Sequence, residues 1–248
     1  MTRYRDDASP WAAVEVSLPK VLTGRNDVLL SWGDVQTAAH LLVDSAADAA
    51  RAVFPPVEEW RVNRIDAVWA WADEPTPYLA ALGLGHLNRC TTTRYPSGVR
   101  WQLPRGGVVA RGYDKAAEVG HPVDLPLRLE REARPKKHTV RVDGQRVGGP
   151  WATFTDSTAR GLVRELVHEL ALDRPVRTPA VARALLVQAH GPRAGENVYR
   201  ALLAAREAGS WDGVGGSAAT RRRARRMARE AGVSTLYDHE LAPLDVPS

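Results

Sequence analysis

The residues best suited to chemistry lie around Tyr113, where a phenol, an ammonium group and carboxylates are close together in the sequence. The run 107–113 has the pattern of a strand, and Lys115 would share a face with Tyr113 if that strand continued. Glu118 follows, and Glu130 lies in a segment where leucines alternate with charged residues, which predicts a strand with one apolar and one charged face. These side chains could catalyse phosphoryl transfer, or they could form a surface ion-pair network beside a structural tyrosine. The residues alone leave both interpretations open.

A further acidic candidate is Asp66, which lies in the strongest strand pattern of the chain, Trp60 to Trp71. A carboxylate in so apolar a strand is unfavourable unless it is paired, hydrated or bound to a cation. Arg64 is its nearest cationic neighbour in the sequence. An ion pair with Arg64 and a role in a metal site are therefore both open interpretations of Asp66.

The composition is that of an ordinary globular protein. The chain has 248 residues, of which 44% are hydrophobic and 25% charged, enough for one large domain or a domain with a small appendage. There is no apolar run long enough to span a membrane, no apolar signal core near the N-terminus and a single cysteine, Cys90. We therefore expect a cytoplasmic protein with no membrane partner and no disulfide framework.

Basic residues are concentrated near the C-terminal end. The formal net charge of +5 permits a polyanionic partner without requiring one. Six arginines lie within nine residues: Arg221, Arg222, Arg223, Arg225, Arg226 and Arg229. A hydrated helix face would account for them, but Glu230 is the only acid nearby, which favours phosphate binding.

Strand patterns and helix patterns occupy different parts of the chain. Strands are predicted at 11–18, 60–71, 89–95, 99–103, 107–113, 127–130 and 138–142. Two helices are predicted between these strands: an amphipathic helix capped by Ser31 and a short helix from Thr76 to Leu82. Beyond residue 150, helices are predicted from Asp156 or Ser157 to Leu172, after the capping residue Thr178, from Glu196 to Ala208 and from Ser217 to Ala231. We expect a polar loop at 20–27, a flexible connector at 211–216 and a loose tail from residue 242.

This segregation predicts an α+β fold rather than a doubly wound sheet. The predicted N-terminal domain, 1–150, has a mainly antiparallel sheet covered by helices, and the predicted second domain, 151–248, is small and all-helical. No glycine-rich loop precedes a helix with phosphate-binding spacing, which argues against nucleoside-triphosphate chemistry.

Four stretches, in this order and spacing, resemble the phage and plasmid replication initiators of the filamentous-phage gene II/X type. They are Glu15 to Asn26, Asn63 to Asp66, Tyr113 to Glu118 with Arg128 to Glu130 after it, and Gly209 to Trp211 with Ala219 to Val233 after it. They are spread between residues 15 and 233, so the resemblance extends over most of the chain. The resemblance implies a replication-initiator or relaxase-like catalytic domain and a C-terminal domain with helix-turn-helix character.

The implied activity is tyrosine-mediated nicking and rejoining of DNA at an origin, which starts rolling-circle replication. A tyrosine attacks a phosphodiester, giving a 5′-phosphotyrosine link and a free 3′-hydroxyl, and Mg²⁺ or Mn²⁺ polarises the phosphate. The resemblance implies Tyr113 as the nucleophile and Lys115 as an electrostatic helper. The implied metal ligands are Asp66 and Glu130, with Glu118 and Glu15 as weaker candidates.

The implied partners are single-stranded or supercoiled origin DNA and a host helicase and polymerase. The implied DNA contacts are the six arginines named above together with Lys20 and Arg25. The chain departs from many such initiators because no two of its histidines are two residues apart, so a metal site would be rich in carboxylates. Two alternatives stay open: a non-enzymatic DNA-binding replication regulator, and a metal-dependent nuclease that uses water.

Overall fold

The computed structural model describes residues 13–85, 87, 89–104, 108–134, 141–142, 144–233, 236–238 and 240–247. Within these ranges the protein has the predicted α+β fold, with a five-stranded antiparallel sheet and eight α-helices. Of the residues predicted to lie in strands, Trp11, Ala12, Gly107 and His138 to Val140 lie outside the described part of the chain.

The sheet has the strand order β1-β5-β4-β3-β2. Its strands are β1 (Ile65–Trp71), β2 (Thr91–Tyr95), β3 (Gly98–Gln102), β4 (Val108–Asp114) and β5 (Leu127–Ala133). A separate two-stranded ribbon consists of β6 (Arg141–Val142) and β7 (Gln145–Arg146). All five predicted internal strands are confirmed, although β1 begins five residues later than its sequence pattern.

The eight helices are α1 (Leu18–Thr23), α2 (Trp32–Ala50), α3 (Pro75–Leu82), α4 (Lys115–Val119), α5 (Asp156–Glu169), α6 (Pro179–His190), α7 (Pro192–Ala208) and α8 (Ala218–Glu230). The capping box predicted at Ser31 is confirmed, because its hydroxyl accepts from the amide of Asp34 and the Asp34 carboxylate accepts from the amide of Ser31. The predicted cap at Thr178 is also confirmed by its bond from the amide of Val181.

Two apolar clusters account for most of the buried side chains. The first lies between one face of the sheet and helices α3 and α5, and includes Leu129, Trp101 and Leu166. The second joins α6, α7 and α8 around Leu186 and Leu202. Helix α5 therefore packs on the sheet, while the three later helices pack on one another.

The backbone returns from the second cluster to the first. Val176, before α6, and Leu241, after α8, exchange two backbone hydrogen bonds of 3.1 and 3.2 Å. Leu244 and Val246 then pack into the first cluster, and the indole of Trp71 donates to the carbonyl of Asp245 over 2.7 Å.

Several local expectations were wrong. Residues 13–17 form no strand, and the expected loop beyond them begins as α1, because Pro19 suits the first turn of a helix. The tail is not loose, because Leu244 and Val246 are buried. The 211–216 connector is anchored by the buried Trp211.

Candidate functional site

The sheet face opposite the first cluster carries polar and charged residues in rows, and we call it the charged face. Residues paired across antiparallel strands point to the same side of a sheet, so the strand register defines each row. One row runs Ala70, Arg128, Tyr113, Gly98 and Tyr95. The next runs Val68, Glu130, Arg111, Arg100 and Thr93, and Asp66 pairs with Glu132 farther along β1 and β5.

The structure places three of the predicted site residues, which are distant in sequence, on one face of the sheet, with the strand of Glu130 between those of Asp66 and Tyr113. Asp66, Glu130 and Tyr113 lie on β1, β5 and β4, which are neighbours in the sheet, and all three are on the charged face. The negative charge of Glu130 acts on Tyr113, and that of Asp66 acts on Glu130. The sequence pattern alone could not have placed β1 beside β5, because 55 residues separate the two strands.

The phenol of Tyr113 is not presented to solvent. Only 9% of this residue is exposed. Burial raises its pKa well above the ordinary tyrosine value, and repulsion from Glu130 and Glu118 raises it further, against an opposing contribution from the charge and hydrogen bond of Arg128. In this arrangement Tyr113 stays protonated and is a weak nucleophile.

Lys115 is also buried, and it does not continue strand β4. Asp114 accepts a 3.1 Å hydrogen bond from the amide of Ala117 and so caps α4, which makes Lys115 its first residue. The Lys115 ammonium lies 2.7 Å from the Glu118 carboxylate and 5.9 Å from the centroid of the Tyr113 ring. A buried ammonium is stable only with such partners, so these contacts explain its position without a catalytic role.

The predicted acid Asp66 is held by an arginine. The Arg64 guanidinium donates to both carboxylate oxygens of Asp66, over 2.9 and 2.5 Å. Arg64 also contacts Glu15 at 2.7 Å and Glu132 at 3.3 Å. This network raises the pKa of Arg64, with the hydrogen bond to Asp66 as the largest cause. The predicted ion pair between Asp66 and Arg64 is therefore present, and a metal role for Asp66 stays a prediction.

Glu130 is buried beside Arg111, with 3.7 Å between its Oε1 and the Arg111 Nη1. Burial raises the pKa of Glu130 above the usual glutamate value, and the charge of Asp66 adds to this, while Arg111 and Arg64 oppose it. Ionisation of the Glu130 carboxyl group is therefore less favourable than that of an exposed glutamate.

The carboxylates of the charged face do not converge on a common point. Within the described ranges, no group of three histidine, cysteine, aspartate or glutamate side chains could hold a metal ion. Asp66 faces Arg64, Glu130 faces Arg111 and Glu118 faces Lys115. Each of these carboxylates therefore has a cationic partner, the metal stays a prediction, and no step is derived through it.

Arg128 is the residue of this site whose role the sequence reasoning missed. It is buried, and its guanidinium donates to the backbone carbonyls of Asn26 and Asp27 in the loop after α1. Its other contact is with Tyr113. Arg128 therefore ties the N-terminal loop to the charged face. The signal available in the sequence was an arginine on the charged side of a strand with alternating leucines.

The two DNA-contact residues predicted near the N-terminus differ in availability. Lys20 is exposed on α1. Arg25 forms a bidentate ion pair with Asp27, and its hydrogen bonds lower the pKa of that aspartate to about 2. Arg25 is consequently engaged by an acid of its own loop.

The six arginines of α8 divide into two groups. Arg222, Arg223, Arg226 and Arg229 are exposed. Arg221 instead donates to the carbonyls of Val214 and Gly216 over 3.3 and 2.7 Å, and Arg225 lies over the ring of Trp211 at 5.5 Å. Burial lowers the pKa of Arg225. Arg221 and Arg225 therefore hold α8 in place, while the exposed four form a basic stripe.

No family model, curated protein or solved structure matches this chain. The resemblance to replication initiators therefore stays a prediction. Among the described residues, no helix is both long and apolar enough to cross a membrane.

Proposed function

We propose that this protein binds DNA through the basic stripe of α8, defined by Arg222, Arg223, Arg226 and Arg229. The observation that carries the proposal is that all four arginines are exposed on a single helix, and that the described part of the chain gives them one carboxylate partner, Glu230, 3.5 Å from Arg226. Four cations with one acid among them are a surface suited to a polyanion.

The dimensions of the stripe suit a DNA backbone. Residues 222 to 229 span about 10 Å along the helix axis, and duplex DNA carries about six phosphate charges over that length. Helix α8 is also held firmly. Its Ala228 is buried in the second cluster, and the ring nitrogen Nε2 of His190 on α6 lies 2.7 Å from the carbonyl oxygen of Met227. The exposed arginines therefore lie on a helix whose position is fixed by these contacts.

A finer proposal is that α6, α7 and α8 form a helix-turn-helix-like unit with α8 as the DNA-contacting helix. Helices α6 and α7 are joined by the single residue Gly191, which makes them a tight pair. Helix α8 packs against both of them. The connector before α8 spans 209–217 and is longer than the usual turn of such motifs.

The test is fluorescence anisotropy of a labelled duplex oligonucleotide titrated with the full chain at low and moderate salt. We expect binding that weakens steeply with salt, because the contacts are with phosphates. If the protein does not bind duplex DNA even at low salt, the proposal is wrong.

The second candidate function is strand nicking by Tyr113, within a rolling-circle initiator of the replication-initiator fold. It is favoured by the placement of Tyr113, Glu130 and Asp66 on one face of neighbouring strands. The mechanism requires Tyr113 to become exposed, and Arg128, which interacts with Tyr113, also donates to the loop after α1.

A denaturing gel separates this candidate from its alternatives. Labelled single-stranded origin DNA is incubated with the protein and Mn²⁺, and a protein-linked band, free cleaved DNA or intact DNA indicates tyrosine attack, attack by water or binding alone. The linked band must disappear in Tyr113→Phe. If it persists in that variant, the nucleophile is another residue.

A further inference from the structure

We propose that the edge strand β2 pairs with β2 of a second copy of this chain. The two five-stranded sheets would join into one continuous antiparallel sheet, with a twofold axis between the two β2 strands. The surface concerned serves self-association, so the proposal stands independently of DNA binding by α8.

The first argument is that β2 lies at an open edge of the sheet. It is the last strand in the strand order, and β3 is its one extensive neighbour in the described part of the chain. None of its five residues is buried. An uncovered edge strand presents unpaired backbone groups that can pair with another strand.

The register identifies which backbone groups of β2 are unpaired. Tyr95 pairs with Gly98 across a two-residue turn, which makes these residues a hydrogen-bonded pair. Hydrogen-bonded and non-hydrogen-bonded pairs alternate along antiparallel strands, so Thr93 also bonds to β3, while Thr92 and Arg94 direct their backbone groups outward. Apart from the sheet itself, no backbone hydrogen bond within the described ranges involves Thr92 or Arg94.

The second argument is that β2 lacks the features that usually prevent edge strands from pairing. Such features are proline, lysine and bulges. The strand contains neither residue, and its register with β3 is regular. Its one charged side chain, Arg94, is held within its own chain at the end of α3. The Arg94 Nη2 donates to the carbonyl of Ala80 over 3.2 Å, and an added Cβ at Gly83 would come within 2.0 Å of the Arg94 Nε.

The third argument is that β2 is complementary to itself. In the antiparallel pairing centred on Thr93, Thr92 of each copy faces Arg94 of the other, and each of these pairs exchanges both of its backbone hydrogen bonds. The two Thr93 side chains meet at the axis, and Tyr95 of each copy faces Thr91 of the other. Threonine pairs and aromatic–β-branched pairs stabilise sheets, and no two like charges are directly opposite.

A second copy suits this edge better than an unrelated strand. An unrelated strand would itself become a new open edge, whereas a second copy brings a complete sheet and leaves no open edge at β2. Charge repulsion across the axis is also small. The exposed Arg100, which pairs with Thr93 on β3, would lie three strand spacings, roughly 14 Å, from its counterpart. Salt screens exposed charges that are more than about 8 Å apart.

The experiment is disulfide cross-linking of the full chain with its free cysteine removed by Cys90→Ala. Thr93→Cys should give a linked dimer on mild oxidation, because opposite residues of a non-hydrogen-bonded pair have Cα atoms about 4.5 Å apart. Thr91→Cys is the matched control on the same strand and face. Its two copies would lie about 14 Å apart and should not be linked. A mixture of Thr91→Cys and Tyr95→Cys should be linked, because these positions face each other.

Light scattering over a range of protein concentrations tests the same pairing without a cross-link. Thr93→Lys places two ammonium groups at the axis and should weaken the dimer by about fivefold. Thr93→Val keeps a β-branched side chain and should retain the dimer.

Four outcomes overturn the proposal. Thr91→Cys is linked as readily as Thr93→Cys, or Thr93→Lys and Thr93→Val form equally stable dimers, which would place any dimer contact elsewhere. The chain is monomeric at every concentration and Thr93→Cys is not linked. In a cell extract, Thr93→Cys is linked to another protein and not to itself, which would assign the edge to a different partner.

Discussion

The double substitution Arg222→Ala/Arg226→Ala tests the basic stripe of α8. Both side chains are exposed and lie one helical turn apart. Arg222 donates to the carbonyl of Ala218 in its own helix, and Arg226 pairs with Glu230 near the end of the same helix. Alanine is the best helix former, so we expect α8 to fold normally.

The expected salt dependence of the affinity follows from the number of exposed arginines. If each of the four contacts one phosphate, the logarithm of the affinity should fall with the logarithm of salt concentration with a slope of about −3.6. Between 50 and 200 mM salt this corresponds to a loss of about 150-fold in affinity. The double variant keeps two contacts, so its slope should be about −1.8 and its loss about 12-fold.

The assay is anisotropy of a labelled duplex at four salt concentrations. The control is Arg61→Ala/Arg193→Ala, which removes two exposed arginines outside α8. Its formal net charge equals that of Arg222→Ala/Arg226→Ala. The control should keep the wild-type slope, because it removes the same formal charge as the test variant but leaves the basic stripe of α8 intact. If the two double variants have equal slopes, or if the wild-type slope is close to zero, the reasoning about α8 is refuted.

Three further predictions concern the rest of the molecule. Tyr113→Phe should remove any protein-linked DNA band and leave duplex affinity unchanged, and a loss of duplex affinity would show that Tyr113 supports the DNA-binding surface. Leu244→Ala should lower the free energy of unfolding by about 2–5 kcal/mol, measured with a denaturant, because it empties a buried position, whereas Val53→Ala at a fully exposed position should change little. Because burial raises the pKa of Glu130, the native state binds its proton more tightly than the unfolded chain, so the stabilisation present below the unfolded pKa of about 4.3 is lost as the pH rises through the native value. Glu130→Gln should therefore gain stability relative to wild type as the pH increases from about 4 to 7, and parallel unfolding curves would contradict this.

Local sequence signals predicted much of the framework. Ser31 and Asp34 mark the start of α2, and Thr178 with Pro179 marks that of α6, because capping chemistry is encoded within a few residues. The alternation around Leu129 and Glu130 predicted one apolar and one charged face of β5, as observed.

The details of the site depended on contacts that the sequence does not encode locally. Arg221 and Arg225 have the same side chain as their exposed neighbours, and only the placement of Trp211 and the carbonyls before α8 separates them. Lys115 would have shared a face with Tyr113 only if the strand continued, and the cap at Asp114 begins a helix there instead. The domain boundary near residue 150, drawn from composition, stays a prediction.

The two hydrogen bonds between Val176 and Leu241 have a practical consequence. The chain leaves the first cluster and re-enters it at adjacent points, so α6–α8 form a loop-like insertion between them. Residues 177–240 could be excised and the gap closed by a short linker without separating α5 from the residues around Leu244. For the same reason, an unrelated helical unit whose ends lie close together could replace residues 177–240. The resulting chimera would keep the charged face and exchange the surface carried by α8.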